Sequence, residues 1–308
     1  MDTRLQTLIN WLADAGYASR VVNITRLEDL RESIHGLRQG GMLDEDFYKE
    51  WLAGFEFVPP DSHLQARSLI ILAIPQPQYR ISFETQGGVK SLIIPPTYLH
   101  GKEFDEKARL KLEASLAADG YHAVQAILPK KLLATSSGLG AYGRNNICYV
   151  PGMGSFHRLV AFYSDLSCQD DDWQSPKMMA ECQNCAACLQ ACPSGAIAGD
   201  RFLLHAERCL TYHNEKPGDI PFANWLQPTW HTCLVGCMRC QVICPQNKPY
   251  LNWVDEAARF SIDETDLLLR GTPLEQLPDT MRAKLEANDL ADLLDVMPRN
   301  LRACGVGI

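Results

Sequence analysis

Two runs of cysteines have a spacing that is typical of iron–sulfur proteins. The first run, Cys182–Cys192, has the pattern C-x2-C-x2-C-x3-C, and the second, Cys237–Cys244, has the pattern C-x2-C-x3-C. A proline follows the last cysteine of each run. In bacterial ferredoxins this spacing directs three thiolates to one 4Fe–4S cluster, and the fourth cysteine binds a second cluster. The runs therefore predict two 4Fe–4S clusters, which carry single electrons at low potential.

The main alternative for these cysteines is a zinc ribbon. Structural zinc sites use pairs of cysteines that are a few residues apart. They do not use the x2-x2-x3 spacing that ends in Cys-Pro, which this chain has at Cys192 and Pro193. The pattern therefore favours iron–sulfur clusters over zinc.

The sequence leaves the eighth cluster ligand open. Two clusters need eight thiolates, and the two runs contain only seven. A complete second run would begin at position 234, which is Leu234, and Cys233 misses that position by one residue. The other candidate is Cys209, which lies between the runs on a predicted short helix. The ferredoxin crossover rule assigns the first cluster to Cys182, Cys185, Cys188 and Cys244, and the second to Cys192, Cys237, Cys240 and the eighth cysteine.

The composition favours a protein that works where thiols stay reduced. Of 308 residues, 46% are hydrophobic and 21% are charged, which is ordinary for a globular protein. The N-terminus predicts an amphipathic helix rather than a signal peptide, and no apolar run could span a membrane. We therefore expect a cytoplasmic protein without disulfides, in which Cys148, Cys168 and Cys304 are plain buried thiols. The net charge of −8 means that a nucleic-acid partner would need a local basic patch.

Helical and extended patterns alternate before the cysteine runs. The spacing of apolar residues predicts helices over 3–15, 26–38, 44–53 and 104–118. The continuous apolar run Ser68–Ile74 predicts a buried strand, and further strands are expected over 123–127 and 157–165. Pro129 is placed to begin another helix.

The segment Ser136–Asn146 follows that helix and contains three glycines. Glycine lets a backbone turn tightly and approach a ligand closely. The segment is not a dinucleotide-binding fingerprint, because it follows a helix and no acidic residue comes at the expected distance. Taken alone, this glycine loop is as compatible with a structural turn as with a ligand-binding one.

We expect an α+β protein with three consecutive parts. Residues 1–173 would form an α/β domain that ends in the acidic linker Gln169–Trp173. Residues 174–250 would form a double-cluster, ferredoxin-like domain. Residues 251–308 would form a helical tail, because apolar residues over Phe260–Gly305 follow a helical spacing that suits packing against the body.

Joined in this order, the parts resemble the epoxyqueuosine reductase family, in which a corrinoid-binding, nitroreductase-like α/β domain precedes a double-cluster module. The resemblance is carried by both cysteine runs and by Gly138–Gly140, Gly143–Asn145, Gly154–Ser155, Ser164–Leu166, Arg208–Leu210 with Tyr212, and Pro298–Leu301. It implies that Cys209 is the eighth ligand and that the glycine loop holds cobalamin. The residues that the resemblance suggests for cobalamin are Tyr98, Gly138, Gly140, Tyr142, Gly143, Arg144 and Asn145. For the two tyrosines, a packed core position is the alternative.

The chain departs from the family pattern in two places. The family has an acidic residue, its proton donor, shortly before the helix that precedes Gly138, whereas Val124–Pro129 contains no Asp or Glu. Only Lys130 and Lys131 are nearby, and we expect both to be solvated. Many relatives also continue into a C-terminal helical-repeat domain that helps to hold tRNA, and we expect this chain to be a divergent member without it.

The resemblance implies a reductase in which a donor such as ferredoxin or flavodoxin sends electrons through the clusters to cobalamin. The alternative is an electron-transfer protein that reduces the corrinoid of a partner protein and has no substrate of its own. The family points to tRNA as a substrate, and no membrane partner is expected. Isolated histidines such as His157 are expected to be structural.

Overall fold

The computed structural model of the chain describes residues 3–59 and 64–307 and has the predicted mixture of helices and strands. The chain divides into two compact units that interleave along the sequence. The first unit comprises Met1–Gln76, Lys102–Ala186 and Ala198–Leu204, and the second comprises Pro77–Gly101, Ala187–Ile197 and His205–Ile308. The three consecutive domains with boundaries at 173 and 250 remain a prediction.

The regular elements range from the two-residue strands β6 and β7 to the 17-residue helix α4. The strands are β1 (Ala18–Asn23), β2 (Ser68–Pro75), β3 (Gln78–Thr85), β4 (Gly88–Ile94), β5 (Ala123–Gln125), β6 (Ala141–Tyr142), β7 (Cys148–Tyr149), β8 (His157–Ser164) and β9 (Val254–Phe260). The α-helices are α1 (Thr3–Asp14), α2 (Arg26–Gln39), α3 (Glu45–Phe47), α4 (Gly101–Ala117), α5 (Lys130–Ser136), α6 (Ala187–Ala191), α7 (Leu210–Asn214), α8 (Arg239–Val242), α9 (Ile262–Arg270), α10 (Asp279–Ala287) and α11 (Met297–Ala303). A π-helix, Tyr48–Leu52, continues α3, and 3-10 turns are found at Ala180–Cys182, Ala206–Arg208, Pro228–Trp230, Pro245–Asn247, Leu274–Gln276 and Ala291–Leu293.

A four-stranded antiparallel sheet in the order β1-β2-β8-β5 forms the centre of the first unit. β2 is the predicted buried strand. On one face of the sheet, residues such as Ile70 and Leu72 pack with α1 and α4. On the other face, Leu69 and Ile71 pack with α2 and α5. Because helices cover both faces, every second residue of β2 need not be polar, which explains its unbroken apolar sequence.

The predicted acidic linker is fixed to the first unit through Asp171. The Asp171 side chain is only 2% exposed and forms a salt bridge of 2.9 Å with Arg26. It also accepts a hydrogen bond of 2.9 Å from the backbone N–H of Asn23. Burial acts to raise the pKa of Asp171, but these hydrogen bonds outweigh it and hold the pKa below its usual value. The segment before the first cysteine run is therefore anchored at this point.

The second unit contains a three-stranded sheet in the order β4-β3-β9. β3 pairs antiparallel with β4 and parallel with β9, which follows both cysteine runs. Phe83 of β3 stacks on Phe260 of β9 with a distance of 5.5 Å between ring centroids. Residues of α9, α10 and α11 such as Leu268, Met281 and Leu301 complete this core.

The predicted helical tail over 251–308 begins with a strand, because Val254–Phe260 forms β9. Its first helix, α9, begins at Ile262. Ser261 caps α9: its hydroxyl accepts from the N–H of Glu264, and the Glu264 side chain accepts from the N–H of Ser261. This reciprocal capping fixes where the chain changes from strand to helix. Within the described ranges, no helix combines the length and the apolar character needed to cross a membrane.

Candidate iron–sulfur centre and glycine loop

Three of the cysteines assigned to the second cluster lie close together in the second unit. Cys192 acts electrostatically to raise the pKa of Cys209, and Cys233 and Cys209 act in the same way on Cys237. Cys240 lies on α8, which packs against α6, the helix that immediately precedes Cys192. Cys209 therefore lies beside cysteines of both runs.

Burial favours the thiol form of Cys209 and Cys237, and nearby donors oppose it only in part. At Cys209 the donors that act to lower the pKa are the backbone N–H groups of Thr211 and Tyr212 and the Thr211 hydroxyl. The N–H of Arg239 donates to the sulfur of Cys237. Burial raises the pKa of Cys209, and it raises that of Cys237 to about 12, so both thiols must release a proton when a metal centre binds.

This donor set fits an iron–sulfur cluster, because thiolates are its ligands and hydrogen bonds to sulfur tune its potential. Across residues 3–59 and 64–307, no three His, Cys, Asp or Glu side chains gather around a single metal-ion position. Each thiolate of a cubane binds a different iron, so its four ligands do not converge on one point.

Cys233, the competing eighth ligand, is also buried in the second unit. Burial raises the pKa of Cys233 to about 11, and its sulfur accepts a hydrogen bond from the N–H of Met238. The thiol of Cys304 donates to the Cys233 carbonyl at 3.3 Å. Cys233 acts on the pKa of Cys237 as Cys209 does, so Cys209 as the eighth ligand remains a prediction.

Asn214 joins the segment after Cys209 to the segment before Cys237. Its side-chain amide donates to the carbonyl of Gly236 at 2.7 Å and accepts from the N–H of Gly236 at 2.9 Å. The amide of Asn300 donates to the carbonyls of Asn214 and Leu234 at 2.8 and 2.9 Å. Both asparagines are fully buried. The motif Pro298–Leu301 thus supports the backbone of the cysteine-bearing segments from the C-terminal helix.

Tyr98, which the resemblance suggested for cobalamin, lies in the second unit against Gly236. A Cβ on Gly236 would come within 2.8 Å of the Tyr98 hydroxyl oxygen. That hydroxyl donates a hydrogen bond to the carboxylate of Glu215. Burial raises the pKa of Glu215, and the hydrogen bond from Tyr98 opposes this effect only in part. These contacts are those of a packed aromatic, which was the alternative expected for Tyr98.

Arg144, also suggested for cobalamin, binds the backbone of the first cysteine run. Its guanidinium donates from Nε to the carbonyl of Cys185 at 2.9 Å and from Nη2 to the carbonyl of Cys182 at 2.7 Å. All three residues belong to the first unit. No local sequence pattern indicates this contact, because Arg144 and Cys182 are far apart along the chain.

Two glycines of the loop are required by the protein's own packing. A Cβ on Gly140 would lie 2.5 Å from the carbonyl oxygen of Tyr149, and one on Gly143 would lie 2.6 Å from the Tyr149 ring. Gly138 differs, because it has a positive φ of 75° and a Cβ there would meet only Gln174, at 3.6 Å. The close approach that the glycines permit at 140 and 143 is therefore an approach of one protein segment to another.

Tyr142 and Asn145, the remaining residues suggested for cobalamin, are buried in the first unit. The Tyr142 ring packs edge-on against Phe202 with 5.3 Å between ring centroids. The side-chain amide of Asn145 donates to the hydroxyl of Tyr149 at 3.0 Å. Both side chains therefore have partners within the protein, and their role toward cobalamin remains a prediction.

The remaining cysteines and Lys130 are removed from solvent to different degrees. Cys148, Cys168 and Cys304 are buried, as expected for plain thiols. Lys130 is only partly exposed, and burial lowers its pKa, so the expectation of a solvated charge is wrong for this residue. The nearby ion pair of Arg158 and Asp105 also acts on the Lys130 pKa, in opposite directions.

Comparison with known sequences identifies the cysteine-rich segment. Residues 181–247 match the family described as the 4Fe-4S double cluster binding domain. The chain carries a double-cluster domain. The match contains both cysteine runs together with Cys209 and Cys233, and it confirms the prediction of two 4Fe–4S clusters.

The predicted resemblance to epoxyqueuosine reductases is also confirmed. An epoxyqueuosine reductase from Francisella cf. novicida is 30% identical over an alignment of 192 residues that covers 58% of this chain and 50% of that protein. The chain thus matches about half the length of this curated relative.

Solved structures extend the similarity to the fold around the double-cluster domain. The epoxyqueuosine reductase from Streptococcus thermophilus has a TM-score of 0.62 and 18% identity, over 98% of this chain and 80% of that one. An epoxyqueuosine reductase solved with an epoxyqueuosine-modified tRNA-Tyr stem loop has a TM-score of 0.63 and 19% identity, over 97% and 80%. This chain therefore has the same fold as those proteins.

Proposed function

We propose that this protein is an iron–sulfur reductase whose two clusters pass low-potential electrons to cobalamin, in a reduction like that of the epoxyqueuosine reductases. The observation that carries the proposal is the position of Cys209. It lies near Cys192 of the first run and Cys237 of the second. Sequence and fold similarity to epoxyqueuosine reductases gives further support.

In this proposal the chain's own residues hold the ligands in place. Cys192, Cys209, Cys237 and Cys240 would bind the second cluster, and Cys182, Cys185, Cys188 and Cys244 the first. The Asn214 amide holds Gly236, so the segments that carry Cys209 and Cys237 move as one. When bound, the clusters supply single electrons and cobalamin supplies a strongly nucleophilic cobalt centre.

At the glycine loop, cobalamin would contact backbone atoms rather than the predicted side chains. Arg144 and Asn145 are engaged within the protein, and Tyr149 occupies the space beside Gly140 and Gly143. The backbone around Gly138 is less crowded, because a Cβ there would make only an ordinary contact. Cobalamin at this loop therefore rests on the family resemblance and on Gly138 rather than on the whole residue set.

Metal analysis of the reconstituted protein tests this proposal. The chain would be reconstituted anaerobically with iron and sulfide, incubated with hydroxocobalamin and desalted before iron and cobalt are measured. We expect about eight irons, from two four-iron clusters, and about one cobalt per chain, with a shifted corrinoid spectrum. Eight irons without cobalt would remove the cobalamin part of the proposal, and markedly fewer irons would remove the clusters.

A second candidate is an electron-transfer protein that reduces the corrinoid of a partner protein. The engagement of Arg144, Tyr142 and Asn145 within the protein favours it, because it leaves few side chains for a bound corrinoid. Turnover with dithionite or flavodoxin on queuosine-precursor tRNA separates the two. Product would contradict the pure electron-transfer role, whereas reduction of an added corrinoid protein without turnover on tRNA would contradict the tRNA reductase.

A further inference from the structure

The Arg144 guanidinium is bound to three carbonyl groups of the first cysteine run. Besides the bonds to Cys182 and Cys185, Nη2 approaches the carbonyl of Gln183 at 3.5 Å. The N–H of Cys185 in turn donates to the carbonyl of Cys182 at 3.3 Å. One side chain thus defines the shape of the turn on which two predicted cluster ligands lie.

Other residues of the glycine loop hold the segment that leads to this turn. We call residues 174–185 the cysteine arm. The carbonyl of Ser136 accepts from the N–H of Gln174 at 2.9 Å. The backbone N–H of Tyr142 donates to the carbonyl of Lys177 at 3.1 Å, and the backbone carbonyl of Tyr142 accepts from the N–H of Met179 at 2.8 Å. The loop therefore fixes the arm at successive points, and Arg144 makes the last of these contacts, at the cysteines themselves.

We infer that Arg144 is a positioning residue for the first cluster and that its charge makes this cluster easier to reduce. The inference rests on the proposed clusters and gives a residue of the glycine loop a role other than cobalamin binding. A planar guanidinium can donate in two directions at once, which a lysine ammonium does less well. Hydrogen bonds and net charge around a cluster set its reduction potential.

The direction of the effect follows from electrostatics. Reduction adds one negative charge to a cluster. A fixed positive charge at the backbone of its ligands attracts the reduced state more strongly than the oxidised one. Removal of the Arg144 charge should therefore lower the potential of the first cluster and leave that of the second nearly unchanged.

The test uses the full reconstituted chain and three variants. Arg144→Gln removes both the charge and the guanidinium that donates in two directions, whereas Arg144→Lys retains the charge. Arg38→Gln is the matched control, because Arg38 lies in the same unit but pairs with Glu45 and Tyr48 on the surface. Iron is counted first, and the two cluster potentials are then measured by protein-film voltammetry with EPR titration against dithionite.

We expect Arg144→Gln to make reduction of one cluster at least tenfold less favourable, which is about 59 mV for one electron, or to lose about four of the eight irons. Arg144→Lys should recover most of the potential or of the iron, and Arg38→Gln should behave as the wild type. Eight irons with two unchanged potentials in Arg144→Gln would overturn the inference.

A second measurement separates this inference from the cluster proposal. If the wild type does not take up eight irons, the cluster proposal fails, and hydrogen exchange of the full chain then tests the arm alone. Faster exchange of the Cys185 amide in Arg144→Gln than in Arg38→Gln would support the positioning role. Equal exchange rates would overturn it.

Discussion

The amide of Asn214 and the backbone of Gly236 form two hydrogen bonds, of 2.7 and 2.9 Å, that hold together the segments carrying Cys209 and Cys237. The contact is completely buried at Asn214. Buried backbone groups that lose a partner cannot form hydrogen bonds with water instead, so breaking this pair lowers the free energy of unfolding.

Replacement of Asn214 by alanine should therefore destabilise the second cluster. The change leaves the N–H and the carbonyl of Gly236 without partners, at a cost of about 2–4 kcal/mol. We expect a lower Tm and faster loss of iron to a chelator under anaerobic conditions. Asn288→Ala is the matched control, because the Asn288 amide donates to a carbonyl of its own helix, that of Lys284. Equal iron loss in the two variants would contradict the role of Asn214.

Gly236→Ala should be more damaging than the same change at Gly305. Both glycines have a positive φ, 69° and 76°, which costs an alanine about 1–2 kcal/mol. At Gly236 the new methyl group would also meet the Tyr98 hydroxyl at 2.8 Å and Pro95 at 2.9 Å, which adds about 1–3 kcal/mol. A Cβ on Gly305 has nothing within 4 Å. Thermal unfolding of the two variants measures the difference, and equal Tm values would show that the crowding at Gly236 relaxes without cost.

The identity of the eighth ligand can be settled by two serine variants. Cys209 is coupled to cysteines of both runs, so Cys209→Ser should lose iron and give the EPR signal of a damaged second cluster. Cys233→Ser should retain about eight irons, since two clusters need only eight thiolates. The opposite result, with iron lost only in Cys233→Ser, would exchange the two assignments.

Stability should fall on mild acidification because of His157. Burial lowers the pKa of His157 to about 4, although its ring donates a hydrogen bond to the carbonyl of Gly154. Its other ring nitrogen, Nδ1, has no partner in the structure. Between pH 6.5 and 4 the unfolded chain binds a proton that the folded chain does not, so the free energy of unfolding decreases as pH falls. His157 should account for about 1 kcal/mol of the loss between pH 7 and 5.5, and His231, whose pKa burial also lowers to about 4, adds to it.

Urea unfolding of the wild type and of His157→Gln at the two pH values measures this effect. The variant should show a smaller change with pH, whatever its stability at pH 7. His122→Gln is the control, because the His122 side chain is 74% exposed at the surface. A wild-type pH dependence that persists in His157→Gln would assign the effect to other groups.

The elements that the sequence predicted well are those with a local signal. The unbroken apolar run of β2 and the helical spacing of α1 and α2 identify their structure without reference to the rest of the chain. The cysteine runs are equally local, because their spacing is set by the turn that presents several thiolates to one cluster.

The strands β3, β4 and β9 were not predicted, because their sequences carry charged residues and their pairing is distant. Arg80 of β3 faces Glu256 of β9 and forms a salt bridge with it. Neither strand has a continuous apolar run, and neither is followed by a turn that leads to the other. The interleaving of the two units could not be derived for the same reason.

The glycine loop shows the corresponding limit for the site. Its composition indicates a tight turn but does not say which partner approaches. In the structure that partner is Tyr149 at Gly140 and Gly143, and the cysteine arm at Arg144. Each of these contacts depends on tertiary packing, which a motif of a few residues does not predict.

The parallel pairing of β3 with β9 also sets an order of assembly during synthesis. Arg80 and its partner Glu256 are 176 residues apart, so at roughly 5–20 residues per second the ribosome needs on the order of ten seconds or more between them. Every predicted cluster ligand is synthesised before β9, because the last of them, Cys244, precedes Val254. The sheet of the second unit can therefore close only after all eight predicted ligands have been made.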